Sequence, residues 1–361
     1  MNRSGTAFVQ LICSILICFV ITKALIHYIQ TNSVKSHSLM ECHEALLSIA
    51  NETDNARFFC MKITAGVGVN VTFACTTGQS NNCRGNDRSF GPHQTYVNMW
   101  RSFMHKVSRS GMLKRSGSII MRAEDFATLP RRIEQRLYRE RFPLASHSHL
   151  SCVEDPGIII SIPDPHYIGS GGFTGLIKTT STHSRFISRK PKIFWRGVTT
   201  GLVANCSLLP RVQLSIIAKS LPWADIKVAS PLVQYCSDKD FNFLRETGAL
   251  GERKAEVFWA QHRGILDIDG NSNAWGLFWR LGSGSAVFRV ESSYCSMYSA
   301  GLIPWKHYLP LKSDFSDFQT VTKMVAENSS VELLEKIARN SAAYVRKFTM
   351  DNVMKLSLIH I

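Results

Sequence analysis

None of the ten cysteines stands in a Cys-x-x-Cys pair, so the paired thiolates of a structural zinc site are missing. Nor is there an internal repeat or a low-complexity run, which excludes solenoids, propellers and a disordered chain. Acidic residues are few: 27 Asp and Glu stand against 42 Lys and Arg, for a formal charge of +15. The basic surplus is spread along the chain, as in "RSFMHKVSRSGMLKRS" at 101–116, rather than gathered in a tail. No zinc-finger spacing or aromatic RNA-binding signature goes with it, so nucleic acid is not an expected partner. Such a diffuse positive field suits an anionic small ligand or polyanionic surroundings.

Long apolar runs are also scarce. The one that exists spans Ala7 to Ile21 and continues past Lys23 to Ile29. It is nearly long enough to cross a bilayer if Lys23 snorkels, and no small-residue cleavage site follows it. The expectation is a short cytosolic tail at 1–6, a transmembrane signal-anchor at 7–29 and a stem at 30–50. A cleaved signal peptide is the alternative. Sequons at Asn51, Asn70, Asn205 and Asn328 point the body of the chain to the lumenal side. That makes it a single-pass type II protein of the Golgi or endoplasmic reticulum membrane. Outside Cys13 and Cys18 of the apolar run, eight cysteines remain: Cys42, Cys60, Cys75, Cys83, Cys152, Cys206, Cys236 and Cys295. Their even number fits disulfides in an oxidising compartment, with the pairing left open by the spacing.

Between 51 and about 105 the chain is rich in Cys, Asn and Gly, and from 106 to 150 it turns basic and amphipathic. "GIIISIP" at 157–163 then predicts a buried strand that ends at Pro163 and Asp164. Beyond 190 the pattern becomes regular. "KIFW", "ADIKVAS", "GILDID", "SAVFRVES" and "HYLPL" read as strands separated by helices, one of them opened by Pro210. This alternation predicts a parallel sheet covered on both faces, hence a doubly wound α/β domain in the C-terminal half. Ligands of such domains sit at the carboxyl ends of the strands.

Asp267 and Asp269 in "LDIDGNSNAW" invite three readings. A calcium loop fails on spacing, because the sixth position from Asp267 is Ser272 rather than Gly and the twelfth is Phe278 rather than Glu. An Asp-x-Asp pair holding a metal against a diphosphate is the second. The third has Asp269 capping the turn at Gly270 while Asp267 joins a polar network. "GSGS" at 282–285 looks like a phosphate-cradling loop, yet it follows a helix and opens a strand, the reverse of the order such a loop needs. It reads as a helix C-terminal turn. His147 and His149 have metal-like proximity but no partner cluster, and read as loop.

Three segments, "FWRGVTTG", "LDIDGNSNAWGLFWRLGSGSAVFRVES" and "LIPWKHYLPLKSDFSDF", resemble glycosyltransferase family 90. This is the capsule-associated-protein-like family that includes protein O-glucosyl- and O-xylosyltransferases. The resemblance runs from about Gly157 to Phe348. It implies an α/β fold of two Rossmann-like domains facing a cleft, the GT-B arrangement. Residues 51–185 would form the acceptor-side domain, 186–350 the nucleotide-sugar domain, and 351–361 a tail. It also implies a UDP-sugar donor, inversion at the anomeric carbon, and no metal or further cofactor.

With no cation, fixed groups must neutralise the leaving diphosphate. The candidates at the end of a strand are Arg196, Thr199 and Thr200. Asp269, Trp275 against the uracil, Arg280, and Glu291 near the ribose complete the expected donor site; packing, solvent exposure or helix capping is the bland alternative for them. Many relatives carry an Arg where this sequence has Gly276. Arg280 lies one turn on and keeps the same face, so it either replaces that residue or is solvated. The family's catalytic base is an Asp at the carboxyl end of a strand in the N-terminal half. Asp164 stands there, with Asp155 and His166 as rivals.

The function implied is a membrane-anchored inverting glycosyltransferase that moves glucose or xylose from a UDP-sugar to a hydroxyl of a glycan or protein acceptor. A catalytically inert lectin-like or chaperone relative that keeps the cleft is the alternative.

Overall fold

The computed structural model describes residues 58–73, 94–111, 117–122, 144–146, 148–150 and 159–358. The predicted anchor and stem, His147 and Asp155 lie outside them. No helix among the described residues is long and apolar enough to cross a membrane.

The first half builds strands β1 (Phe58–Thr64), β2 (Gly68–Phe73), β3 (Gly117–Arg122), β4 (Leu144–Ser146), β5 (His149–Leu150) and β6 (Ile159–Ser161). Five of these form one sheet in the order β2-β1-β3-β4-β6. The sheet is mixed, because β1 runs antiparallel to both neighbours while β3, β4 and β6 are parallel. The cause is local. A tight turn at Gly66, with φ +73°, joins β1 directly to β2, and so short a connection can only join antiparallel strands. Helix α1 (Gln94–Arg109) packs Val97, Trp100, Phe103 and Met104 against this sheet, and the short helices α2 (Pro165–Gly169) and α3 (Thr174–Ser181) follow β6.

The second half contains β7 (Lys190–Gly197), helix α4 (Pro210–Ala218), β8 (Ala224–Ala229), helix α5 (Asp238–Glu246), β9 (Leu250–Gly251), helix α6 (Glu256–Trp259) and β10 (His262–Asp267). After these come helix α7 (Leu277–Gly282), β11 (Ala286–Val290), β12 (Tyr294–Cys295), β13 (Leu309–Leu311) and helices α8 (Phe318–Thr322), α9 (Val331–Val345) and α10 (Met350–Leu358). Six strands form an all-parallel sheet in the order β13-β11-β10-β7-β8-β9. The chain therefore builds outward from β7 to one edge, returns, and builds from β10 to the other. Every residue of β10 is buried, as expected of a central strand covered on both faces. The reversal between β7 and β10 opens a crevice at their carboxyl ends, where doubly wound sheets bind ligands.

Two features join the halves. β5 pairs antiparallel with β12, so His149 is strand and not loop. A buried cluster also unites Met61, Trp100, Phe103 and Tyr167 of the first half with Leu277, Phe278, Tyr298, Val345 and Val353 of the second. Val353 is fully buried within α10, so the segment expected as a tail begins as a helix that packs through this residue. A disulfide links Cys206 to Cys236, and Cys60 and Cys295 are disulfide-bonded too.

At the amino end of β10, His262 is 2% exposed and stacks on Phe194 with ring centroids 4.6 Å apart. Its Nδ1 lies 3.1 Å from the Phe258 carbonyl and 3.2 Å from that of Trp259. Burial pushes its pKa down to about 4, so the folded state favours the neutral ring. A base depressed in this way contributes stability above its unfolded value of 6.5, lost as pH falls towards 4. His262→Phe keeps the stack but cannot take a proton. Denaturant titrations should show about 3 kcal/mol less acid loss over that window in His262→Phe than in the natural chain. Parallel pH profiles would show that His262 is not the group responsible.

Candidate active site

The crevice between β7 and β10 is laced by Arg211, in the first turn of α4. Its Nε donates to the Asp269 carbonyl at 2.8 Å, Nη2 to the Ile268 carbonyl at 3.0 Å, and Nη1 to the Val198 carbonyl at 3.1 Å and Thr200 Oγ1 at 2.6 Å. One guanidinium thus fixes both loops at the point where the strand order reverses. Burial, with the nearby charge of Arg280, pushes its pKa down to about 10. A cation in the first turn of a helix opposes the helix dipole. That misfit is the sequence signal by which Arg211 could have been found.

Thr199 is fully buried and holds the neighbouring loop; its Oγ1 donates to the Val233 carbonyl and accepts from the Val233 N–H, both at 2.8 Å. Thr200 is the partner of Arg211. Arg196, expected on phosphate oxygens, is committed elsewhere. Its guanidinium donates to Asp225 Oδ1 at 2.7 Å, to the Asp225 and Trp195 carbonyls at 2.9 and 2.8 Å, and to the Glu252 carbonyl at 3.2 Å. It lies 4.5 Å over the Phe194 ring, running back along the strand and away from its carboxyl end. The strand's alternation decides this, because residues 194 and 196 share a face.

Asp267 closes β10 with its carboxylate 1% exposed. It accepts a hydrogen bond from Arg280 Nη1, and Arg289 Nε stands 3.9 Å from its other oxygen. The network reading of Asp267 therefore describes its place, and arginine supplies the positive charge beside it. Arg280 reaches it by folding back over Gly276, where a Cβ would come within 2.7 Å of its Nη2. Glycine at this position is what gives Arg280 its room. Asp269, two residues beyond, accepts from the Ala274 N–H at 3.3 Å. Burial, with the Asp267 charge adding to it, pushes its carboxyl up to about 6. Glu291, at the end of β11, is exposed and accepts from Ser313 Oγ at 3.3 Å.

The first half meets this edge through α2. Asp164, 2% exposed, caps α2 by accepting from the Tyr167 N–H at 2.8 Å. Its charge helps raise the pKa of Tyr298, whose phenol burial alone already pushes far up. Two residues on, the His166 ring lies 4.2 Å from Trp275, which also meets Tyr96 edge-on at 5.3 Å. Trp275 thus spans the two halves, its ring against Tyr96 and His166 of the first. Thr200, Asp269, Trp275 and Arg280 gather around the carboxyl ends of β7 and β10, and α2, capped by Asp164, reaches them through His166 on Trp275. Arg196 and Glu291 stand apart. Among the described residues, no group of three His, Cys, Asp or Glu side chains could hold a metal ion.

The "GSGS" turn has a structural role. Gly284, with φ +80°, ends the turn after α7, and Ser285 Oγ accepts from Arg189 Nη1 at 2.7 Å. It wraps a buried guanidinium at the end of the sheet opposite the crevice.

The Glycosyl transferase family 90 profile matches residues 173–359, just over half of the chain. The chain belongs to this family. Protein O-glucosyltransferase 3 from Mus musculus is 26% identical over 168 residues, covering 46% of this chain and 30% of that protein. The Homo sapiens protein of the same name is 29% identical over the same share of each. Protein O-glucosyltransferase 1 from Rattus norvegicus is 32% identical over 71 residues, 19% of this chain and 18% of its own. The match thus spans less than a third of the length of each of these relatives. A solved C-terminal domain of a glycosyl transferase group 1 family protein from Francisella tularensis superposes with a TM-score of 0.29 at 12% identity, over 43% of this chain and 85% of that domain. The family match begins at residue 173 and so takes in the whole parallel sheet, while Asp164 and its helix lie just outside it.

Proposed function

We propose that this family 90 protein is an inverting, metal-independent glycosyltransferase that moves glucose or xylose from a UDP-sugar to a hydroxyl of a glycan or protein acceptor. The observation that carries the reading is the placement of a capped, buried carboxylate, Asp164, opposite the edge of the parallel sheet where Arg211, Arg280 and Arg289 collect. A leaving diphosphate needs positive charge held in place, and an attacking hydroxyl needs a base on the other face of the sugar. In this reading the arginines serve the first need and Asp164 the second. Asp269, with its carboxyl pushed up to about 6, lies on the donor side and suits hydrogen bonding to the donor better than proton abstraction from the acceptor. Pairing of Asp267 with arginine supports the metal-independent form.

The test is UDP release from UDP-glucose and UDP-xylose, with and without a panel of glycan and peptide acceptors, in excess EDTA. Release should be seen with one donor, should rise with an acceptor, and should survive EDTA. Activity lost in EDTA and restored by manganese would make Asp267 and Asp269 metal ligands instead. Nucleotide binding with no release from any donor would favour the inert relative, a reading suggested by Gly276 standing where many relatives carry Arg.

A further inference from the structure

Five of the arginines buried in the second half of the chain have visible work to do. Arg196 and Arg211 each make four hydrogen bonds. Arg189 holds Ser285 Oγ and the Ser283 carbonyl, Arg263 donates to the Val325 and Ile187 carbonyls, and Arg280 holds Asp267. Arg289 differs. It is 9% exposed, its Nε is buried without an acceptor, and its terminal nitrogens, which reach the solvent edge, donate to no described residue. Its nearest carboxylate oxygen, on Asp267, is 3.9 Å away, and the other oxygen of that group is already taken by Arg280. A guanidinium whose side chain is nine-tenths buried, with its Nε lacking an acceptor, is costly to keep.

Its position is equally specific. Arg289 and Asp267 are register partners on adjacent parallel strands, so their side chains stand on one face of the sheet. That face carries Val287 into the cluster shared with the first half. Arg289 lies one residue before the carboxyl end of β11, 5.7 Å over the Tyr308 ring, and both Asp269 and Tyr298 feel its charge. On the sheet itself Arg211, Arg280 and Arg289 stand against Asp267 and Asp269, a net charge of 3 − 2 = +1, with Asp164 across from them on the first half. The local field therefore favours an anion.

We propose that Arg289 grips the diphosphate of the sugar nucleotide, its two terminal nitrogens forking onto phosphate oxygens that supply the missing acceptors. The inference rests on the nucleotide-sugar reading above and assigns to Arg289 the role that the sequence suggested for Arg196.

The test titrates the full chain with UDP and with uridine, which lacks the diphosphate. The natural protein and Arg196→Gln should bind UDP alike. Arg289→Gln should bind UDP roughly ten- to a hundredfold more weakly while uridine affinity stays unchanged, a split that general loosening of the site would not give. Should Arg289→Gln fail to fold, Arg289→Lys carries the test. It keeps a point charge without the fork, and is expected to lose several-fold in UDP affinity alone. Equal UDP affinity in a folded Arg289 variant overturns the proposal and leaves the nucleotide-sugar reading standing. A natural protein that binds neither UDP nor uridine overturns both.

Discussion

Asp164→Asn is expected to lower sugar transfer by roughly 10²–10⁴-fold while UDP affinity stays within about twofold of the natural protein. The substitution is close to isosteric. The Asn Oδ1 can still accept from the Tyr167 N–H, the 2.8 Å bond that caps α2, so the helix and its packing on Trp275 through His166 should survive. What the amide lacks is a basic lone pair for the acceptor proton. In the proposed reading the donor is held by the other half, around β7, β10 and β11, and its binding should not register the change. Turnover measured by UDP release at saturating donor, beside a UDP titration, separates the two effects. An Asn variant that transfers at close to the natural rate would reduce Asp164 to a helix cap and turn the search to His166.

Arg280→Ala is expected to destabilise the fold by about 3–5 kcal/mol, because it strips a buried carboxylate of its hydrogen-bonded partner. Asp267 is 1% exposed and Arg280 11%, so water replaces little of the missing pairing. Arg289 remains, but at 3.9 Å it makes no hydrogen bond to the carboxylate. The guanidinium also lies 5.2 Å from the Trp259 ring centroid, and alanine cannot supply that cation–π attraction. Chemical denaturation should show the destabilisation in the midpoint at nearly constant slope. The double change Asp267→Asn with Arg280→Ala should cost less than the sum of the two single changes, since it leaves no unpaired charge. A destabilisation below about 1 kcal/mol, the range of exposed pairs, would mean that this pair is solvated.

Much of the second half was legible. Apolar stretches within 190–197, 224–229, 262–267 and 286–290 form the strands that their composition predicted, because a strand covered on both faces must be largely apolar. Pro210 opens a helix as its fixed φ allows, and Gly284 turns where only glycine is at ease. Asp164 could be placed at a strand end from "IPDP" alone, and it caps the helix that follows. The first half was far less legible. Its sheet is mixed, a property of strand pairing between segments distant in the chain, and no periodicity within one strand encodes the direction of its neighbour.

The carboxyl edge of the parallel sheet shows the same division at the level of single residues. Sequence determined which residues stand at the carboxyl ends of the strands and that positive charge is plentiful. It could not tell which of Arg196, Arg211, Arg280 and Arg289 would be spent on structure. Arg196 stood in the most suggestive motif, yet its side chain runs back to Asp225, a residue 29 positions away. Arg211 reaches carbonyls 57 and 58 positions ahead, and Arg289 stands 3.9 Å from Asp267, a carboxylate that Arg280 already holds. A long, flexible cation takes whichever buried acceptors lie within a few ångströms, since an unpaired charge out of water is so costly. Those acceptors come from other strands, and only the packed sheet brings them within reach.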